Sequence, residues 1–234
     1  MSNNNRLWVV IPAAGIGKRM GVDIPKQYIT VCDKAIIEHT VEKFTSRNDL
    51  QGILVALSNS DQHWSTLELS KNNKITTVTG GEERYKSVYN ALCSLKNKAG
   101  DDDWILVHDA VRPCITTFEI DQVIADLDHL NGIGGILALP CFETMKKANT
   151  NHEIEETIDR KFIWHAQTPQ MFRYKKLFLA IEKIMNENIF ITDEAMAMEL
   201  AGYKPMLIQG THSNIKITDQ NDLKYLESFL RQEI

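Results

Sequence analysis

The sequence predicts a doubly wound, mostly parallel α/β fold, a Rossmann-like sheet with a protruding β-ribbon arm. Three observations predict it. Apolar runs of strand length alternate with amphipathic helical patterns, the order that gives parallel strands joined by right-handed crossovers. The runs are continuously apolar, as expected of strands covered on both faces. Residues of unusual chemistry follow directly after several runs, where the carboxyl ends of such a sheet receive ligands.

Leu7–Ile11 is the first strand, and it empties into Pro12-Ala13-Ala14-Gly15-Ile16-Gly17. Ala35–Phe44 has helical spacing, and Gly52–Leu57 and Ile75–Thr79 read as the next strands. Gly80-Gly81 opens the helix Glu83–Leu95, whose apolar face includes Val88, Leu92 and Leu95. Trp104–His108 is a strand followed at once by Asp109–Arg112, then by the helix Phe118–Leu130 and the strand Ile133–Leu139.

The rhythm breaks over residues 141–163, where Thr144–Lys147 and Ile154–Ile158 flank Asn149-Thr150-Asn151. A lone two-stranded ribbon is marginal in water, so it packs on another surface, such as a second subunit, or stays a surface hairpin. Beyond it, Trp164 and Phe172 read as core anchors, His165 as a structural histidine and Thr168-Pro169 as a shaped loop offering a hydroxyl. Thr192 reads as a helix N-cap, with Asp193 and Glu194 favouring the positive end of the helix dipole. Met206–Gln209 is a further strand. Asn214–Thr218 reads as a short strand carrying Lys216, before a terminal helix capped by Thr218 or Asp219.

The 234 residues suit one domain spanning 1–234, with the ribbon inserted in it. Hydrophobic residues at 43% and charged residues at 24% are ordinary globular values. A net charge of −5 argues against a nucleic-acid binder, so any anionic ligand must be held by local cations. No run reaches membrane-spanning length, and the polar start lacks a signal core. Four scattered cysteines without C-x-x-C spacing suggest neither a disulfide framework nor a zinc site, and they point to the cytoplasm.

The chemistry lies in the turns. Gly15 and Gly17 let backbone amides approach a polyanion, and Arg19 and Lys26 can neutralise it. The spacing fits neither a Walker loop nor a dinucleotide fingerprint, whose third glycine is replaced by Met20. Ser87 offers a hydroxyl one turn into its helix. Asp109 suits a magnesium ion bridging phosphates, with Arg112 on a second phosphate; the alternative is an internal salt bridge between the two. Lys216 calls for an anionic ligand or a solvated edge position.

Taken in order, Pro12-Ala13-Ala14-Gly15-x-Gly17-x-Arg19-Met20-Gly21, Pro25-Lys26-Gln27, Gly81 with Arg84-x-x-Ser87-Val88, His108-Asp109-Ala110-x-Arg112-Pro113, Trp164-x-x-Gln167-Thr168-Pro169-Gln170, Thr192-Asp193-Glu194 and Asn214-Ile215-Lys216 closely resemble the 2-C-methyl-D-erythritol 4-phosphate cytidylyltransferases. The resemblance runs nearly the whole length. It implies transfer of CMP from CTP to a sugar-alcohol phosphate, with pyrophosphate released and Mg²⁺ required, in a nucleotidyltransferase-type fold. It places Ala13, Ala14, Gly15, Gly17, Gly81, Glu82 and Ser87 around CTP and makes Arg19, Lys26, Lys216 and Asp109 catalytic, with Asp109 by the metal. It assigns Arg112, Thr168 and Thr192 to the acceptor. Thr144 and Arg160 would reach the acceptor from the ribbon of a partner in a homodimer. A ribitol 5-phosphate cytidylyltransferase is the nearest alternative, disfavoured by Pro12-Ala13-Ala14-Gly15. A nucleotide-binding regulatory module is the non-enzymatic one, disfavoured because a sensor does not need Lys26, Asp109 and Lys216 together.

Overall fold

The structure, a computed structural model, describes residues 6–15, 24–129 and 132–232. The expected catalytic Arg19 and the CTP-binding Gly17 lie outside the described residues. In chain order the elements are β1 (Leu7–Pro12), β2 (Thr30–Val31), β3 (Lys34–Ala35), α1 (Ile36–Thr45), β4 (Leu50–Leu57), β5 (Ile75–Thr79), α2 (Arg84–Ser94), β6 (Trp104–Val107) and α3 (Thr117–His129). There follow β7 (Gly134–Pro140), β8 (Met145–Ala148), β9 (Ile154–Ile158), β10 (Trp164–Arg173), α4 (Tyr174–Glu187), α5 (Glu194–Leu200), β11 (Met206–Gln209) and α6 (Gln220–Gln232).

Seven strands form one sheet in the order β11-β7-β10-β6-β1-β4-β5. β1 pairs in parallel with β4 and β6, β4 with β5, and β7 with β11. Only β10, among these strands, runs antiparallel to its neighbours β6 and β7.

The continuous hydrophobicity of the strands is explained by burial on both faces. Val9, Ile11 and Leu106 pack on one side with Ile37, Val41 and Phe44 of α1 and Ile120 and Val123 of α3. Their neighbours Val10, Ile105 and Val107 point the other way, onto Val88 and Leu92 of α2 and Leu177 and Ile181 of α4. Alternate residues of one strand thus feed two cores, as the period of two requires. Among the described residues no helix is long and apolar enough to cross a membrane.

Three local expectations are corrected. The segment containing Thr168-Pro169 is no free loop but the middle of β10. Ala166 pairs with Ala138 and Gln170 with Ile136, so the register shifts there. A proline is tolerated in a strand at such an irregularity. The N-cap of α5 is Asp193, whose Oδ1 accepts from the Met196 amide at 2.9 Å, while Thr192 stands exposed one residue earlier. Residues 214–218 form no strand. They are tied to the turn after β6 by the Ile217 amide, which donates to the Val111 carbonyl at 2.9 Å. Asp219 caps α6 by accepting from the Asn221 amide at 2.7 Å.

Glu119 fixes the start of that carboxyl-terminal segment. Fully buried, it accepts from the Thr116 amide at 3.1 Å through one oxygen and from the Thr211 amide at 2.9 Å through the other. The start of α3 is thereby joined to the exit of β11.

Gly134 begins β7 with φ +121°, and a Cβ there would lie 2.1 Å from the Met171 carbonyl oxygen of β10. Gly134→Ala is expected to destabilise the fold by about 2–3 kcal/mol, combining a backbone clash with a disfavoured φ. Urea unfolding at neutral pH measures this; an unchanged midpoint would contradict the close approach of β7 and β10.

Candidate active site

The carboxyl ends of β1, β5 and β6 open into one cleft of about 300 Å³, whose walls include Ala13–Gly15, Lys26, Gly81–Arg84, Ser87, Asp109 and Lys216. The first glycine turn is held from behind by Gln27, whose side-chain amide donates to the Ala13 carbonyl at 2.8 Å and the Gly15 carbonyl at 3.1 Å. The second turn is held by Ser87, whose Oγ accepts from the Gly81 amide at 3.0 Å. The two turns touch. A Cβ on Gly80 would meet the Ala14 Cβ at 2.5 Å and the Ser87 Oγ at 2.8 Å, so a side chain there would push the walls apart.

The floor is ionic. Asp109, placed by the end of β6, is buried. Its Oδ1 accepts from Arg84 Nε at 2.8 Å, and its Oδ2 lies 2.9 Å from Lys216 Nζ and 3.4 Å from Arg112 Nε. Burial alone would raise the pKa of this carboxyl, but Arg84, Lys216 and Arg112 outweigh it and hold the group well below the usual carboxylate range. Arg84 continues to Glu194, with Nη1 2.6 Å from Oε1. Lys26 Nζ donates to the Ile217 carbonyl at 3.2 Å. These cations bring positive charge to the base of a cleft whose walls are backbone turns.

The Asp109–Arg112 salt bridge, the alternative that the spacing left open, therefore exists, but it is the longest of the three contacts at Asp109. The short bond of Arg112 runs from Nη1 to the Asn214 carbonyl, at 2.7 Å. Beneath lies a buried polar layer. Thr168 Oγ1 accepts from the Asp109 amide at 3.1 Å and lies 3.0 Å from His108 Nδ1. His108 Nε2 lies 3.1 Å from the Arg112 carbonyl. A carbonyl can only accept, so Nε2 carries the proton and Nδ1 accepts from the threonine hydroxyl. The ring is neutral, its pKa pushed down to about 4 by burial. His165, by contrast, is exposed.

The structure thus gathers Ala13, Ala14, Gly15, Gly81, Glu82, Ser87, Lys26, Lys216 and Asp109 around one cleft, with Arg112 and Thr168 touching Asp109 from below. Among the described residues five expected ones are not in its walls: Arg112 and Thr168, which lie beneath it, and three that stand elsewhere. Thr192 is exposed before α5, Thr144 is exposed before β8, and Arg160, also exposed, donates to the Phe142 carbonyl on the same ribbon. Sequence reasoning gave no role to Arg84, Gln27 or His108, and read Glu194 only as an acid at the positive end of a helix dipole. Arg84 stood within a quoted motif, and its four-residue distance from the Gly80-Gly81 turn was the available signal.

The chain matches the family model described as 2-C-methyl-D-erythritol 4-phosphate cytidylyltransferase over residues 7–232. It is 44% identical over 227 residues to a Vibrio vulnificus protein of that name, covering 97% of this chain and 95% of the relative. A Pseudomonas syringae protein of the same name is 44% identical over 220 residues, covering 94% and 93%. The crystal structure of the Francisella tularensis protein of that name superposes with a TM-score of 0.85 at 36% identity, covering 96% of this chain and 100% of the other.

The buried His108 makes stability pH-dependent. The unfolded chain takes up its proton near pH 6.5, whereas the folded chain resists until about pH 4. The contribution of the neutral ring is therefore kept above the unfolded value and lost as pH falls towards the folded one, by about 2 kcal/mol between pH 7 and pH 5. In urea unfolding, the stability difference between wild type and His108→Asn should shrink by that amount over the interval. A pH-independent difference would contradict a buried neutral ring.

Proposed function

The chain belongs to the 2-C-methyl-D-erythritol 4-phosphate cytidylyltransferase family, and from that premise we propose how its residues carry out the reaction. The enzyme transfers CMP from CTP to 2-C-methyl-D-erythritol 4-phosphate. An oxygen of the acceptor phosphate bonds to the α-phosphorus of CTP, the α–β bridging bond breaks, and pyrophosphate leaves. The observation that carries the assignment is the triple cation contact at Asp109, at the floor of a cleft between two glycine turns.

An attacking phosphate is already an anionic nucleophile, so no general base is required. Its approach to an anionic triphosphate demands positioning and neutralisation. In our reading Ala13, Ala14, Gly15, Gly81, Glu82 and Ser87 surround the cytidine and the near phosphates. The family resemblance adds Gly17 as a CTP-binding residue and Arg19 as a catalytic one, both outside the described residues. Lys26 and Lys216 neutralise charge in the transition state. Lys216 is suited to this because its flexible stem can turn from Asp109 to an arriving phosphate.

Asp109 is the carboxylate that would hold magnesium, an ion that favours one or two carboxylates plus phosphate oxygens and water. Lys216 Nζ lies 2.9 Å from its Oδ2, and that oxygen would open to the ion as Lys216 turns to a phosphate. Among the described residues no group of three or more His, Cys, Asp or Glu forms a cage, so the remaining ligands would be phosphate and water. When bound, the ion would neutralise phosphate charge. Arg112, Thr168 and Thr192 hold the acceptor, with Thr144 and Arg160 supplied by a partner. Support for a homodimer joined through residues 141–163 is that Phe142, Ile154 and Phe162 expose large apolar side chains around this ribbon. Four free cysteines accord with a cytoplasmic location.

Pyrophosphate release from CTP, with magnesium and each acceptor offered in turn, tests the function. Release is expected with methylerythritol phosphate and not with ribitol 5-phosphate; the reverse, or neither, overturns the acceptor assignment. Lys26→Ala and Lys216→Ala should each lower kcat by about 10²–10³ while the fold survives. Near-normal turnover in both would contradict the neutralising role.

The ribbon has its own test. Mixing Lys216→Ala with Arg160→Ala should restore activity, because one heterodimer site then combines an intact Lys216 with an intact partner Arg160. No recovery on mixing would place Arg160 outside the partner's site.

A further inference from the structure

Glu194 is a fully buried carboxylate that does not line the cleft. Its Oε1 is bound to Arg84, and its Oε2 has no hydrogen-bond partner. A buried ion pair with an unmatched oxygen is a poor source of stability, since an apolar pair of similar volume is often as stable or more so. The pair does something else geometrically. The guanidinium is planar and rigid: with Nη1 held by Glu194 at 2.6 Å, the direction in which Nε meets Asp109 at 2.8 Å is fixed. Glu194 also sits two residues after Thr192, in a segment fixed from the other side by Gln170. That side chain donates to Asp193 Oδ2 at 2.9 Å and accepts from the Ala195 amide at 2.9 Å. Arg84 itself lies at the start of α2, beside the second glycine turn.

We propose that Glu194 is a positioning residue for the acceptor half of the reaction, acting through Arg84 to hold the Thr192 segment in register with Asp109. The proposal rests on the reading, made above, that Arg112 and Thr192 hold the acceptor beside Asp109. The unmatched polar side-chain atoms support it. Among the described residues, besides Glu194 Oε2, they are Arg84 Nη2, Gln167 Oε1 and Asn214 Oδ1. All belong to residues in the chain of contacts that runs from Glu194 through Arg84, Asp109 and Arg112 to Asn214 and Gln167. Buried polar groups are matched elsewhere as a rule, and a network whose purpose was stability would be matched too.

Steady-state kinetics of Glu194→Gln and Glu194→Asp, with thermal midpoints, test it. Gln removes the charge; Asp keeps the charge but is one methylene too short to hold Arg84 in place. The KM for the acceptor should rise about tenfold in each, with the KM for CTP within twofold of wild type and, for Asp, an unchanged midpoint. If Gln fails to fold, Asp decides. Wild-type acceptor KM in Asp, or an equal rise in both KM values, overturns the proposal. Wild-type turnover in the same assay tests the parent assignment separately.

Discussion

Everything at the cleft depends on one buried carboxylate. Asp109 meets cations from three separate segments: Arg84 from the start of α2, Arg112 from its own turn, and Lys216 from the stretch between β11 and α6. Without a negative charge between them, these cations would repel one another across a partly dry cleft, where Coulomb terms are far larger than in water. Asp109 therefore assembles positive charge before the substrate arrives. Preorganisation of that kind avoids reorganising the site during reaction, where electrostatic catalysis gains most.

The carboxylate is in turn placed by the fold. β6 delivers it to the carboxyl end of the sheet, and the irregularity in β10 carries Thr168 Oγ1 up to its backbone amide. A regular β10 would direct alternate side chains strictly to the two cores, and no hydroxyl would meet the turn after β6. The antiparallel strand inside an otherwise parallel sheet is thus what allows a polar layer of His108, Thr168, Gln167 and Asn214 to form beneath the ions. That layer joins β6, β10 and the 214–218 segment, so the cations approach Asp109 from fixed directions.

Local chemistry explains what was legible in the sequence. The strands β1, β4 and β6 were readable because burial on both faces leaves unbroken apolar runs, as in Val9-Val10-Ile11. The turns after β1 and β5 were readable because contiguous small residues mark a close approach of backbone. β10 was not readable as a strand: Gln167, Thr168, Pro169 and Gln170 interrupt any apolar run, although all four are buried. Asp109 and Arg112, three residues apart, invited a pairing that the structure makes secondary. The dominant partner, Arg84, is 25 residues before Asp109, and Arg84's other partner, Glu194, is 110 residues from Arg84. An acid at a helix start reads as a dipole effect, and only its complete burial distinguishes Glu194 from that ordinary role.

This difference in legibility has a physical origin that bears on specificity. Holding a triphosphate requires amides, glycines and cations, which one or two short segments can supply. Shaping a pocket for a particular polyol phosphate requires several segments to meet at fixed distances, because a site rejects a near-isostere chiefly by leaving buried polar groups unpaired. In this chain the segments carrying Arg112, Thr168 and Thr192 are held by buried ties at Asn214, His108, Gln170 and Glu194, none of which lines the cleft. Under the acceptor assignment proposed above, discrimination between acceptors depends on residues that need not touch the acceptor. Exchanging cleft residues alone would change affinity for the phosphate more readily than it would change which polyol is accepted.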